Sequence, residues 1–360
     1  MDFTLSEDQR FIQESAERFL AEAAGPDAVR AVVEGPTGFD ENLWAQLAGE
    51  MGFAGLMVPE QYSGSGLGAV EMALVLEQTG RTLAAVPFFE TAVLAVQALL
   101  AAGSEDQKAE WLPQLATGQL KATLAGIGTR PTLSGNRLTG EAKFVTFGHV
   151  ADLLVVATSD NSLVVLPAKT PGITVEPQHT LDRTRRFAHI RFDVDVPASA
   201  ILGTAGGSEA AIRRVLAIGG GLLAAEQTGG AQYCLDTTVE YSQQRVQFGR
   251  LIGSFQSVKH TMADMMVKIE ASRSAFLYAA AAIDENGEEL EEACAVARSW
   301  ASDCYNWCAG EAIQLHGGIG FTWEHHCHLY FKRARATSSW LGSPSETRET
   351  LAKIILEETV

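Results

Sequence analysis

No run of apolar residues in this chain approaches the length needed to span a bilayer, and the opening MDFTLSEDQRFI lacks the basic start and apolar stretch of a secretory signal. Both absences predict a cytoplasmic protein. Positive charge is also scarce: 27 Lys plus Arg face 44 Asp plus Glu, a formal charge of −17 that works against nucleic acid or an anionic membrane as partner. The five cysteines are an odd number without framework spacing. They are expected as buried thiols in a reducing compartment, not as disulfides. Internal repeats and low-complexity segments are missing as well. What is present is 360 residues with 46% hydrophobic content, enough for a large core and for two or three domains.

Three stretches differ in texture. Residues 1–120 are helical in pattern: Ser6 with Gln9 has the spacing of a capping box, and Phe11, Ile12, Phe19 and Leu20 recur at helical intervals. The break in this stretch is GFAGLMVPEQYSGSGLG, where Pro59, Gly64, Gly66 and Gly68 end one helix and lead through a loop into another. Its glycines superficially resemble a dinucleotide fingerprint, but no strand-helix-strand alternation surrounds them. Residues 121–205 hold short β-type runs, KFVTF, DLLVVAT, SLVVLPA, GITVEP and HIRFDVDV, separated by turn residues. They predict a small antiparallel barrel or sandwich. Residues 206–360 return to long amphipathic helices, interrupted by glycines at 219–221 and 229–230. Glycine weakens a helix unless close packing requires it, so these clusters predict tight helix crossings. The fold class expected is multidomain α+β.

Two C-terminal segments carry chemistry. In YSQQRVQFGRLIGSFQSVKHTMADM, residues 241–265, Arg245 offers a planar guanidinium suited to a pyrophosphate, Phe248 a flat apolar surface, and Gly249 the turn after them. General residue behaviour alone favours a plainer reading, with Arg245 in a surface ion pair and Phe248 in the core. In AIQLHGGIGFTWEHHCHLYFKRA, residues 312–334, Gly317, Gly318 and Gly320 let backbone amides approach a ligand, and Gln314 can donate or accept a hydrogen bond. His316 beside them is assigned a structural role. Glu324, His325, His326, Cys327 and His328 include zinc-ligand types, but neighbours on one helix point in different directions, so no metal site is expected. Cys304 and Cys308, one helical turn apart, read as core thiols.

The two segments resemble the two C-terminal signatures of the acyl-CoA dehydrogenase superfamily, and GLMVPEQYSGSGLG is similar to a third signature, so the resemblance spans the chain. It implies an N-terminal helical domain at 1–120, a middle antiparallel β-barrel at 121–205 and a C-terminal four-helix bundle at 206–360. It also implies FAD as cofactor and α,β-dehydrogenation of an acyl-CoA thioester. In the family these signature positions reach across a subunit interface to hold the adenosine and pyrophosphate of a neighbour's FAD. By resemblance Arg245, Gln247, Phe248, Gln256, Gln314, Gly317 and Gly318 form that half-site.

Elsewhere the chain departs from the family pattern. The middle-domain loop AGIGTRPTLSGNRLTG, from Ala125 to Gly140, is short and chemically different, and the family's Trp-Ile-Thr strand reads Phe144-Val145-Thr146. The family's Glu-Gly-Thr, with a Gln two residues beyond, falls on Leu341, Gly342, Ser343 and Ser345. Leucine cannot accept the substrate α-proton, so no catalytic residue is expected. The resemblance then implies a subunit of a heteromeric, α2β2 dehydrogenase that completes its partner's FAD site in trans, while the partner supplies flavin cradle, acyl pocket and base. The acyl-CoA would be bulky or steroid-derived, with an electron-transfer flavoprotein as acceptor. Two alternatives stand beside this. One is a homo-oligomeric dehydrogenase with a relocated base, either Glu226 or, through a register slip, Glu346; the latter is otherwise expected in the first turn of the final helix with Ser345 as its cap. The other is a flavin-free scaffold or regulatory subunit.

Overall fold

A computed structural model describes residues 4–357. The helices in chain order are α1 (Glu7–Ala23), α2 (Pro26–Glu34), α3 (Glu41–Trp44), α4 (Ala69–Thr82), α5 (Val96–Ala102), α6 (Glu105–Ala116), α7 (Glu209–Gln244), α8 (Gln256–Glu285), α9 (Leu290–His316), α10 (Cys327–Ser339) and α11 (Pro344–Glu357). The strands are β1 (Ala122–Ala125), β2 (Thr132–Ser134), β3 (Arg137–Thr146), β4 (Leu153–Ala157), β5 (Leu163–Pro167), β6 (Ile173–Gln178), β7 (Phe187–Asp195) and β8 (Ile201–Leu202), followed by the hairpin β9 (Val246–Gln247) and β10 (Arg250–Leu251). No helix among the described residues is long and apolar enough to cross a membrane. All five cysteines are buried free thiols, as their spacing predicts.

The chain forms two compact units, each assembled from separated stretches. The first comprises the described parts of Met1–Val29, Ala69–Ala84 and Gly220–Val360. Here α1 packs on α4, α4 on α8, and α8, α10 and α11 on α9. The capping box at the start of α1 forms as expected: the Gln9 N–H donates to Ser6 Oγ at 3.1 Å and the Ser6 N–H to Gln9 Oε1 at 3.0 Å. Contrary to the expectation of an interrupted helix, α7 runs unbroken through both glycine clusters for 36 residues, about 54 Å. The glycines do mark crossings. A Cβ on Gly229 would lie 1.8 Å from the Glu77 carbonyl oxygen, one on Gly80 1.9 Å from that of Glu226, and one on Gly230 2.5 Å from the Tyr305 ring. Helices α4 and α7 therefore meet backbone to backbone, a separation that excludes any side chain.

The second unit comprises Arg30–Gly68 and Ala85–Gly219. Its strands do not close the barrel that the family resemblance implies. They form two four-stranded sheets, β1-β4-β5-β8 and β2-β3-β7-β6, and β1 and β4 run parallel. A parallel pair needs a crossover, and here β2 and β3 supply it by joining the other sheet. The first sheet's β1 and β4 are buried along their whole length, whereas β7 in the second alternates inward and outward residues. Leu154, Val156 and Val164 of one sheet and Leu138, Ile190 and Phe192 of the other share a single apolar core, which makes the pair a sandwich.

Candidate active-site elements

Helix α7 ends at Gln244, and the chain turns out through β9 and β10, which pair Gln247 with Arg250. A two-residue hairpin of this kind needs positive φ at both corner positions. They are Phe248, at φ 52°, and Gly249, at φ 76°. Glycine adopts this at no steric cost, but an aromatic residue there is strained by about 1–2 kcal/mol. Phe248 is nonetheless 91% exposed, so it gains no burial in return. The plainer reading of Phe248 as a core residue is thus excluded in the chain itself. Arg245 and Gln247 are exposed too, and Arg245 forms no ion pair among the described residues. Gln256 opens the 30-residue α8, whose N-cap, Phe255, has no side chain that could satisfy the first amides. Those orphan N–H groups, with the helix dipole behind them, favour an anion.

The other segment lies at the C-terminus of α9. Gly317 takes φ 64°, ψ −144°, a conformation essentially reserved for glycine, and its N–H bonds back to the carbonyls of Ile313 and Gln314. Gly317, Gly318 and Gln314 are exposed, and no atom lies within 4 Å of where a Cβ would stand on either glycine. Gly320 differs, since its Cβ would meet the Ile313 carbonyl at 2.9 Å; it serves packing. His316 is buried, donates from Nδ1 to the Ala312 carbonyl at 2.7 Å, and stacks on Tyr241 with ring centroids 4.5 Å apart. Burial holds it below the ordinary imidazole pKa, hence neutral. The Tyr241 stack also joins the two signature segments, bringing the root of the Arg245 hairpin to the glycine turn.

Leu341 lies between α10 and α11, half-buried and at φ 60°. Arg298 pins this segment: its Nη2 lies 2.8 Å from the Thr337 carbonyl oxygen, 2.6 Å from that of Trp340 and 2.8 Å from that of Gly342. This arginine is 2% exposed, and burial pushes its pKa down to about 10. Sequence reasoning passed over Arg298, because nothing in one chain separates an arginine destined for carbonyls from one destined for water.

Both carboxylates considered as a substitute base are hydrogen-bonded within the chain. Glu226 accepts from Arg333 Nη1 at 2.9 Å, with both side chains buried. Glu346 caps its own helix. The Ser343 N–H and hydroxyl donate to its carboxylate at 2.8 and 2.7 Å, which holds its pKa below the ordinary range. Ser343, not the expected Ser345, is therefore the cap, with Pro344 in the first helical position.

In the second unit, the short loop after β1 folds onto itself. Arg130 Nε donates to the Gly126 carbonyl at 3.0 Å, and an apolar cleft lined by Ala98, Leu124, Ile127, Leu163, Ile212 and Leu216 has a volume of about 10 Å³. That is space for roughly one water. Phe144 stands at a β-bulge with φ 56° and 60% exposure, while Thr146 is buried with its hydroxyl unpartnered.

Comparison with known proteins places these features. Residues 205–356 match the acyl-CoA dehydrogenase C-terminal domain and residues 6–119 its N-terminal domain. The chain belongs to the acyl-CoA dehydrogenase family, oxidoreductases acting on acyl-CoA with FAD as cofactor. It is 38% identical to the acyl-CoA dehydrogenase IpdE2 of Mycobacterium tuberculosis, over 98% of this chain and 99% of that protein. Among solved structures it resembles a chain of the ChsE4-ChsE5 complex from Mycobacterium tuberculosis, with a TM-score of 0.90 and 28% identity over 99% of both chains. A similar match is butyryl-CoA dehydrogenase from Megasphaera elsdenii, with a TM-score of 0.90 and 27% identity over 99% of this chain and 100% of that one.

Proposed function

We propose that this chain completes the FAD site of a catalytic partner in a heteromeric, α2β2 acyl-CoA dehydrogenase and contributes no base of its own. The observation that carries this reading is the hairpin tip. A strained, almost fully exposed Phe248, whose ring meets Phe255 edge-on with centroids 6.2 Å apart, stands beside Arg245 and the uncapped start of α8, and its chemistry suits the pyrophosphate and adenosine of a dinucleotide held mainly elsewhere. Arg245 would neutralise and orient the pyrophosphate, with Gln247 and Gln256 beside it. Gln314 and the backbone amides of Gly317 and Gly318 would approach the adenosine, which the open space on both glycines permits.

When bound, FAD supplies a hydride acceptor for the substrate β-carbon. Removal of the α-proton needs a carboxylate, and the partner would provide it, since Leu341 stands at the family's base position and the nearest alternatives are committed to Arg333 and Ser343. The similarity to a chain of the two-component ChsE4-ChsE5 complex supports a heteromer. A bulky or steroid-derived acyl-CoA as substrate, and an electron-transfer flavoprotein as acceptor, follow from the same family association.

The test is co-expression with the neighbouring dehydrogenase-like subunit and measurement of flavin per heterodimer. One FAD per heterodimer is expected. R245A should weaken FAD retention by roughly 10- to 100-fold, the worth of a charge-assisted bond to phosphate. Unchanged FAD content in R245A and F248A would favour a scaffold instead, and a yellow, active preparation of this chain alone would favour a homo-oligomer.

A further inference from the structure

The β9–β10 hairpin carries two arginines, Arg245 at its root and Arg250 across from Gln247. Val246 pairs with Leu251, and the Ile252 N–H continues the ladder by donating to the Arg245 carbonyl at 2.8 Å. Side chains alternate along a strand, so Arg245, Gln247 and Arg250 share one face of the hairpin and Val246 and Leu251 the other. We propose that Arg250 is a second cationic contact for the pyrophosphate of the partner-held FAD, oriented by stacking on Phe255. This role rests on the trans-FAD reading and adds to that site both a charge and the platform that holds it.

Three observations support it. First, Arg250 Cζ lies over the Phe255 ring, 4.1 Å from its centroid, and the same ring meets Phe248 edge-on at 6.2 Å. Phe255 is half-buried and is the N-cap residue of the 30-residue α8, so one residue fixed by a long helix holds both the guanidinium and the corner aromatic. A guanidinium stacked by its flat face keeps the N–H donors of its edge free for phosphate oxygens. Second, Arg250 is exposed, and among the described residues no carboxylate pairs with it or with Arg245. Diagonal neighbours across a strand pair stand about 7–8 Å apart, near enough for the two like charges to oppose each other in the free chain and for both to reach one dianion when it is bound. Third, the charge gathers here against the trend of the chain. Residues 241–263 contain no Asp or Glu, although acids outnumber Lys plus Arg by 44 to 27 overall. Arg245, Arg250 and Lys259 therefore form a cationic surface on an acidic protein, and such a surface selects anions.

The experiment uses the co-expressed heteromer and follows FAD release by flavin fluorescence at increasing ionic strength. R250A should weaken FAD retention by roughly tenfold, the worth of one charge-assisted bond to phosphate, and should make retention less sensitive to salt because one charge contact is gone. R250K, which keeps the charge without the planar stack, should return the salt sensitivity to that of the parent. Unchanged retention in R250A would overturn the role. So would a loss that leaves the salt sensitivity of the parent intact, since an arginine that only braced the hairpin would weaken binding without changing its electrostatics. R245A separates this role from the reading beneath it: FAD lost in R245A but kept in R250A rejects Arg250 alone, whereas FAD kept in both rejects the trans-FAD site.

Discussion

Replacing Glu226 with glutamine removes one charge from a pair in which both side chains are enclosed, Glu226 4% exposed and Arg333 2%. The arginine stays charged and loses its compensating carboxylate in a region where water cannot replace it. Breaking a buried pair from one side costs about 3–5 kcal/mol; the glutamine amide oxygen can still accept from Nη1, so the lower end applies. In thermal unfolding of a chain this long, that is about 4 °C in Tm. Adding R333M should recover most of the loss, since removing both charges is often close to neutral, and the double-mutant cycle measures the coupling. Turnover of the assembled heteromer, assayed well below the lowered Tm, should persist in E226Q. A variant that keeps its stability while losing turnover would refute the argument and restore Glu226 as a relocated base.

Two further tests address packing and pH. G229A should destabilise by more than about 3 kcal/mol, because its Cβ would fall 1.8 Å from a carbonyl oxygen of another helix, whereas G310A, in α9 with nothing within 4 Å, should stabilise by about 0.5–1 kcal/mol. Equal effects of the two in urea unfolding would contradict the crossing of α4 and α7. His149 donates from Nε2 to the Thr37 carbonyl at 2.8 Å, and burial, with Arg186 nearby, depresses its folded pKa. A histidine depressed in the folded state supports stability above its unfolded pKa of about 6.5 and withdraws it as pH falls below that value. The loss of stability between about pH 7.5 and 5.5 should therefore be smaller in H149N than in the parent; an identical slope would show that His149 titrates alike in both states.

Much of this molecule is legible along the chain because its causes are local. The glycines of α7 mark a close approach without naming the helix that makes it, while the capping box at Ser6 and Gln9 and the β-type runs from residue 121 depend on residues a few positions apart. The hairpin of Phe248 and Gly249 belongs here too, since a two-residue turn sets its own dihedral angles. Its exposure does not: whether an aromatic ring is buried depends on what the rest of the chain brings to it, and general residue statistics point the wrong way.

Residue type and spacing by themselves determined the order of helical, β and helical stretches and the leucine at position 341, whereas the half-site from Arg245 to Gly318 is what the family resemblance implies. Tertiary structure alone decided the partners. It set Arg333 against Glu226, Arg298 on the carbonyls around Leu341, and β1 parallel to β4 in an open sheet instead of a barrel. These are pairings between residues far apart in sequence. A buried charge takes whichever complementary group the packing leaves within reach, and that geometry exists only once the helices and sheets have come together.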